Sequence, residues 1–320
     1  MLKLYKKKTN LLITGGTGFL GKNILEKIDK SKYNVTLITK KKVKGYKCVV
    51  VKDLFKLSVN HYLKIIKKNQ IVLHLAWFTK PGYYFNSHKN LICLNGSIRL
   101  ANACKIKKIK KFIGIGTCLE YATKSHKLKI NDTTQINSVY SGTKIILYNY
   151  CKDLFKESKT NFLWCRIFYL YGKGEPKEKL VSYVLSRISK NRPANLSKGS
   201  QIKDFINVED ASNQIIKVIN NDDYNGALNI CSGKGLSVKN FITGIAKKIK
   251  KEKYLFFNNK NSNYIKGKIT IDLNTIIGSG SIVLPKVNIS KKVSIGALSL
   301  VNKNINLLGV YSNIPVKKNK

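Results

Sequence analysis

The sequence predicts an α/β protein: a doubly wound parallel sheet with a small second lobe, followed by a short left-handed parallel β-helix tail. Three observations carry this. Short β-branched runs alternate with longer amphipathic ones through the first 165 residues, the pattern of βα units that feed a parallel sheet. The first strand-like run leads straight into glycines 15, 18 and 21 and then into a helical pattern. After about Asn258 an aliphatic residue recurs at every sixth position, a period that fits neither a helix nor a simple strand but does fit a hexapeptide coil.

Taken in order, strands are expected at Asn10 to Thr14, Asn34 to Thr39, Lys47 to Val51, Ile71 to Leu75, Lys111 to Gly116 and Asn161 to Ile167. Between them, Gly18 to Ile28, Asn86 to Cys104 and Val139 to Phe155 carry apolar residues at helical spacing. From Arg166 the rhythm becomes irregular, with loops at 172–176 and 190–200 and helices over Val208 to Asn220 and Val238 to Lys251. This reads as a smaller cap, so the expected division is 1–165, 166–258 and 264–320. In the last segment Ile265, Ile271, Ile277, Val283, Ile289, Ile295, Val301 and Leu307 keep one six-residue phase and are expected to point inward.

A hydrophobic fraction of 43% excludes a wholly disordered chain. The longest clean apolar stretch, near Ile71 to Phe78, falls well short of the roughly 20 residues that cross a bilayer, so a soluble protein is expected. The basic start MLKLYKKK runs into LLITGG with no small-residue cleavage site, which argues against a signal peptide. Sixty Lys and Arg against 16 Asp and Glu leave a net charge of +44. Only Arg99, Arg166, Arg187 and Arg192 are arginines, whereas nucleic-acid surfaces favour the bidentate guanidinium. The lysines are spread along the chain beside abundant Asn and Ile, as AT-rich codon usage would produce. Attraction of anionic small molecules is expected, specific nucleic-acid binding is not. Seven cysteines, with no C-x-x-C pair, point to reduced thiols in a cytoplasm and to no zinc or other metal site.

The local signal with most chemistry is Thr14-Gly-Gly-Thr-Gly-Phe-Leu-Gly21. Gly15 permits a tight turn, Gly18 lets the backbone approach a pyrophosphate and Gly21 allows close helix–strand packing; the helix beyond offers N–H groups and a positive dipole end. Thr17, Phe19 and Leu20 complete this Rossmann-like turn. After the second strand stands Ile38-Thr39-Lys40-Lys41-Lys42, where an acidic residue would grip a ribose 2′-hydroxyl. Lys40 suits a 2′-phosphate instead, so NADP(H) is favoured over NAD(H). Asp53, followed by Leu54, is placed to accept the adenine amino group. Tyr140 and Lys144 stand four apart at the start of a helix, hence on one face. The ammonium is expected to lower the tyrosine pKa and let Tyr140 exchange a proton with a carbonyl or alcohol. Thr117 ends the fifth strand, where its hydroxyl can meet the reacting oxygen.

With TGGTGFLG at 14–21, Asp53-Leu54, His74-Leu-Ala-Trp77, Asn95, Thr117 four before Tyr121, and Tyr140-x-x-x-Lys144, the chain resembles the extended short-chain dehydrogenase/reductases, the nucleotide-sugar epimerase/dehydratase group. The likeness runs from about Asn10 to Phe257. It implies a catalytic triad of Thr117, Tyr140 and Lys144, a cofactor lined by Leu75, Ala76 and Trp77, and support from Asn95. In the group's 4,6-dehydratases the hydroxyl residue is followed by an acid pair; Cys118 and Leu119 hold those places here, so dehydration has lost its acid and base. The stretches 76–84, 116–121 and 166–172 are similar to reductases of dTDP- or CDP-linked 4-keto-6-deoxy sugars. Tyr169 replaces an Asn that contacts the nucleotide sugar, and Lys203 replaces the Arg that meets its diphosphate; with Thr117 and Cys118 they make up the expected substrate side. The tail resembles the last coils of hexapeptide-repeat acyltransferases, but all four histidines (61, 74, 88, 126) precede it, which implies a fragment without catalysis of its own.

The resulting expectation is a cytoplasmic nucleotide-sugar 4-keto reductase, a homo-oligomer that dimerises through its reductase part or trimerises through its tail. Two rivals stand beside it: a 4-epimerase that retains NAD, and an inactive assembly subunit with an acyltransferase-like trimerising tail. His74 is read as a satisfied core histidine and Cys118 as a buried thiol without a base. For Phe168, Tyr169 and Tyr171 a nucleobase platform and plain strand packing stay equally open.

Overall fold

The computed structural model describes residues 8–122, 127–257, 268–279, 281–284, 286–297, 299–312 and 316–319. The inward position expected at Ile265 and the outer ends at Asn258 and Lys320 lie outside them, as do Gly280, Pro285 and Pro315 of the expected repeat. The chain divides into two compact units, one of residues up to Ala194 with Gly199–Phe256, the other of Asn195–Lys198 with Phe257–Lys320.

The first unit is built on a seven-stranded sheet. In chain order its elements are β1 (Thr9–Thr14), α1 (Phe19–Lys27), β2 (Tyr33–Thr39), β3 (Lys47–Val50), α2 (Val59–Ile65), β4 (Ile71–His74), α3 (Lys89–Ile106), β5 (Lys111–Thr117), α4 (Val139–Lys156) and β6 (Asn161–Ile167). There follow β7 (Tyr169–Tyr171), α5 (Leu180–Ile188), β8 (Ala194–Leu196), β9 (Ile202–Asn207), α6 (Val208–Asn220), β10 (Gly226–Ile230), β11 (Gly235–Ser237), α7 (Val238–Lys248) and β12 (Leu255–Phe257). The sheet order is β10-β6-β5-β4-β1-β2-β3 and every pairing is parallel. Leu11, Leu12 and Ile13 of β1 are all fully buried, which is why the central strand reads as a continuous apolar run rather than an alternation. Ile24, Leu25, Ala211 and Ile215 of α1 and α6 pack on one face. Tyr62, Leu100, Leu147 and Phe155 of α2, α3 and α4 pack on the other. β1 pairs with β2 on one side and β4 on the other, so the connections reverse direction there and leave a crevice at the strands' C-terminal ends.

The sheet does not stop at residue 165 as expected from the change of rhythm. α6 is strongly amphipathic, packs beside α1 in the same core, and feeds β10, which pairs in parallel with β6 from Gly226↔Leu163 to Ile230↔Ile167. GALNI at 226–230 is short and half-exposed, so it carries no strand signal of its own. α2 is also unforeseen: it is two turns long, and Ser58 starts it by accepting from the His61 N–H at 3.3 Å. β11, β9 and β7 form a separate three-stranded sheet.

The second unit consists of very short strands. β13 (Thr270–Ile271), β14 (Ile276–Ile277) and β15 (Ile282–Val283) pair in parallel with β16 (Asn288–Ile289), β17 (Val293–Ile295) and β18 (Leu300–Val301). The partners Ile271↔Ile289, Ile277↔Ile295 and Val283↔Val301 each stand three six-residue steps apart. Ile289, Ile295 and Val301 are buried as the phase requires, with Ile277 and Val283 packed against them. A second buried series, Val287, Val293, Ser299, Ile305 and Tyr311, runs at the same period two residues ahead. The expectation fails at both ends: Ile271 is 47% exposed and Leu307 66%. At the far end the cause is a shorter step, since β19 (Gly309–Ser312) pairs as Ile295↔Tyr311 and Ile305 bridges Ile289. That register moves Ile305 and Tyr311 inward and turns Leu307 out. β20 (Lys317–Lys318) then pairs antiparallel with β19.

Candidate active site

The crevice of the first unit is a cavity of about 1010 Å³, large enough for an extended ligand. One wall is the glycine turn between β1 and α1. Gly15 holds φ at +72°, and a Cβ there would lie 2.6 Å from the Ala76 nitrogen; at Gly21 it would lie 2.4 Å from the Gly15 carbonyl oxygen. The turn therefore closes only with glycine at these places. No side chain caps α1 and no carboxylate stands in its first turn, so its N–H groups remain for phosphate oxygens. Thr17, Gly18, Phe19 and Leu20 line the same wall, with Lys40 at the end of β2 and Asp53, Leu54, Leu75, Ala76 and Trp77 around it. One oxygen of Asp53 is engaged, accepting from the Phe55 N–H at 3.0 Å. The fit to a nicotinamide dinucleotide rests on this cradle: glycines where a Cβ would collide, unpaired helix donors, and a lysine rather than an acid at the β2 end.

Beneath the turn, His74 is a wholly buried part of the scaffold, as expected. Ser97 donates to the Cys93 carbonyl at 2.7 Å, so its oxygen accepts from His74 Nε2 at 2.7 Å. Nδ1 then accepts from the Thr14 hydroxyl at 2.7 Å, and that hydroxyl accepts from the Ala76 N–H at 3.3 Å. Burial, with Lys144 nearby, pushes the imidazole down to about 3.

The opposite wall carries Thr117 and Tyr140. Thr117 caps the turn after β5, and Glu120 closes the capping box by accepting from the Thr117 N–H at 2.8 Å. Glu120 is fully buried and also accepts from Arg166 Nε at 2.8 Å and Trp164 Nε1 at 3.1 Å. Burial pushes its carboxyl up against the pull of Arg166. Tyr140 lies in the first turn of α4, which Ser138 starts by accepting from the Ser141 N–H at 3.1 Å.

The lowered tyrosine pKa expected from Lys144 is not what the structure holds. Burial raises the Tyr140 phenol above its usual range, Tyr84, Glu120 and Cys118 add to this, and the Thr117 hydroxyl opposes it. Lys144 is turned elsewhere: Nζ donates to the Ile115 carbonyl at 2.7 Å, lies 3.6 Å from the Trp77 ring centre and stands 6.0 Å from that of Tyr140. Lys144 is not among the cavity-lining residues; Trp77 is. Burial brings the ammonium down to about 7.

Asn95 must be corrected. It sits on the exposed side of α3 and does not line the cavity, because the α3 residues turned to the site are Lys89, Ile92 and Cys93. The buried asparagine of that helix is Asn90, which the sequence reading passed over; so was Tyr84, whose ring meets the edge of Tyr140 at 4.9 Å. On the substrate side Cys118, Tyr169 and Lys203 all line the cavity, with Lys203 Nζ 4.8 Å from the Tyr169 ring centre. Burial pushes the Cys118 thiol up to about 12, an inert state for a nucleophile. Tyr171 lies edge-on to Phe241 at 4.9 Å, and with Phe168 it also lines the cavity.

A glycine turn at the switch point of a parallel sheet, sharing one cavity with Thr117 and Tyr140 while Lys144 stands one helical turn behind, defines a dinucleotide-dependent enzyme of the short-chain type. The chain belongs to the NAD dependent epimerase/dehydratase family, whose match runs over residues 11–231. It is 26% identical over 247 residues to CDP-abequose synthase of Salmonella typhimurium, covering 73% of this chain and 79% of that one. It is 24% identical over 277 residues to dTDP-4-dehydro-6-deoxyglucose reductase of Escherichia coli, covering 78% and 85%. The UDP-glucuronic acid 4-epimerase of Bacillus cereus, solved with UDP-glucuronic acid and NAD, shares the fold at a TM-score of 0.67 and 20% identity, over 78% of this chain and 86% of that one. No helix among the described residues is long and apolar enough to cross a membrane, and no cluster of metal-ligating side chains occurs among them.

Proposed function

We propose that the protein reduces the 4-keto group of a nucleotide-linked 4-keto-6-deoxyhexose, dTDP- or CDP-linked, with a nicotinamide dinucleotide as reductant. The observation that carries this reading is that Thr117 and Tyr140 share a cavity with the glycine turn, while Cys118 and Leu119 occupy the places from which carboxylates would dehydrate the sugar. The names of the Salmonella and Escherichia coli relatives support the substrate class. The dinucleotide, when bound along the glycine turn, supplies the hydride equivalent. Thr117 and Tyr140 hold the carbonyl oxygen by hydrogen bonds. The raised phenol of Tyr140 stays protonated at neutral pH and so serves as the acid that delivers the proton to the developing alkoxide. Lys144, one helical turn from Tyr140 and packed against Trp77, stands behind the phenol, its Nζ 6.0 Å from the phenol's ring centre. Lys203 meets the sugar's diphosphate from beside Tyr169. Lys40 supports a preference for NADP(H); in the Bacillus cereus epimerase structure the cofactor is NAD.

The test follows the absorbance of added NADPH with a dTDP-4-keto-6-deoxy sugar. Oxidation is expected, with Tyr140→Phe slower by about 10²- to 10⁴-fold; a parent rate equal to that of the variant removes the reading. The second reading, a 4-epimerase that retains NAD, has in its favour the fold shared with the NAD-bound epimerase of Bacillus cereus. Stoichiometric NAD released on denaturation, with no net turnover, would select it.

For the rest of the chain we take 1–165 with the later strand and helix of the sheet as the dinucleotide part, the remainder of 166–258 as the substrate lobe, and 264–320 as a left-handed hexapeptide β-helix. The three equally spaced parallel pairings support the last assignment. The seven cysteines are all unpaired, in keeping with a cytoplasmic protein. Assembly as a dimer through the first unit or a trimer through the second is decided by light scattering.

A further inference from the structure

Lys144 and Tyr140 are each held by something outside their own helix, and both holds lead to one side chain. Asn90 on α3 is fully buried and does not line the cavity. Its Oδ1 accepts from the Trp77 indole Nε1 at 2.9 Å, and that indole lies over the Lys144 ammonium. Its Nδ2 donates to the carbonyl of Tyr84 at 2.6 Å and to that of Ser87 at 3.0 Å. The segment so anchored reaches the start of α4. The Tyr84 ring meets Tyr140, the Phe85 carbonyl accepts from the Tyr140 N–H at 2.8 Å, and Asn86 Oδ1 accepts from the Val139 N–H at 3.4 Å. Two of the four N–H groups at the start of this helix thus depend on a segment that Asn90 ties down.

We propose that Asn90 is the positioning residue of the Tyr140–Lys144 pair: one buried amide fixes the indole that covers the ammonium and the backbone that seats the phenol. Three of the amide's hydrogen-bonding sites are used, so no apolar side chain reproduces it. Loss of the indole's anchor lets water reach Lys144, which removes the cause of its lowered proton affinity; the titration should move toward the ordinary lysine value, upward in pH. The titratable groups facing Lys144 are Glu120 after β5, Cys93 on α3, His74 on β4 and Tyr140 on its own helix, and Asn90→Leu alters none of them.

The inference concerns the pair as the proposed reduction uses it, but its first test needs no substrate. Trp77 is one of only two tryptophans in the chain, so indole emission of the full-length protein is followed from about pH 6 to 9. A titration that disappears in Lys144→Met is expected, with its midpoint raised by about half a unit or more in Asn90→Leu. Asn102→Leu, which deletes the hydrogen bond from Tyr150 at 2.7 Å on the same helix, should leave the midpoint in place. Reductase turnover should fall about tenfold in Asn90→Leu, with the dinucleotide KM changed less than about threefold. An unmoved midpoint in Asn90→Leu, or one moved equally by Asn102→Leu, overturns the proposal. If the parent shows the emission titration but no turnover, the reduction fails while the role of Asn90 is still decided. If Asn90→Leu does not fold, Asn90→Ser, whose hydroxyl is too short to span the same contacts, is read in the same way.

Discussion

His74 illustrates how a single residue can be fixed by its partners. Both ring nitrogens are engaged inside the protein, and burial keeps the ring neutral, with its proton affinity brought from 6.5 down to about 3. Between those two values the unfolded chain binds a proton that the folded chain refuses, so stability falls as pH drops through that window and is flat above it. Urea unfolding at pH 7 and pH 5 should show a loss of stability in the parent that is smaller in His74→Asn; equal losses would contradict the neutral assignment. Thr117, Tyr140 and the glycine turn could be read in the sequence because their spacing along the chain is itself the chemistry. Asn90 could not, since its partners Trp77 and Tyr84 are side chain and backbone on a loop with no regular period. The raised pKa of Tyr140 is hidden for a related reason: the spacing places Lys144 one turn away, but the ammonium is engaged by the Ile115 carbonyl and the Trp77 ring, and burial with Tyr84, Glu120 and Cys118 sets the phenol.

Among the elements, β5 and α6 meet through an unusual contact. Lys111, at the first position of β5, is fully buried, and its Nζ donates to the carbonyls of Val218, Ile219 and Asn221 at 3.2, 3.0 and 2.7 Å. It therefore closes the C-terminal end of α6, where orphan carbonyls and the negative dipole end favour a cation, with Asp222 2.9 Å away. Lys111→Met keeps the volume but strands those acceptors, and should cost about 3 kcal/mol in denaturant unfolding. An effect below about 1 kcal/mol would place the contact among ordinary surface pairs. In a chain with this much lysine, no sequence pattern separates Lys111 from its neighbours Lys107, Lys108 and Lys110. The strand signal at 111–117 was clear, its role as a helix cap was not. The same limit hid β10, whose place in the sheet is supplied by α6 rather than by its own residues.

For the whole molecule, the division into two compact units predicts separable unfolding. Ile295 is 2% exposed within the second unit's core, so Ile295→Asp should unfold that unit while the thermal shift given by NAD(H) or NADP(H) persists; loss of both together would show one cooperative body. The net charge of +44 predicts that the apparent KM for an anionic nucleotide sugar rises with salt between about 50 and 200 mM while kcat changes little. The six-residue spacing marked Ile289, Ile295 and Val301 of the second unit's core but not the series from Val287 to Tyr311, which is interrupted by a serine and ends in an aromatic, so it carries no aliphatic rhythm.

The hairpin at the end of the second unit has a consequence for growth in solution. Stacked strands leave at each end a row of unused amide and carbonyl groups, onto which a further layer from another chain could add. At β19 the next place is taken by a strand of opposite direction bearing Lys317 and Lys318. A newcomer in the parallel sense finds that place filled and like charge waiting, so this edge of β19 is closed to strand addition.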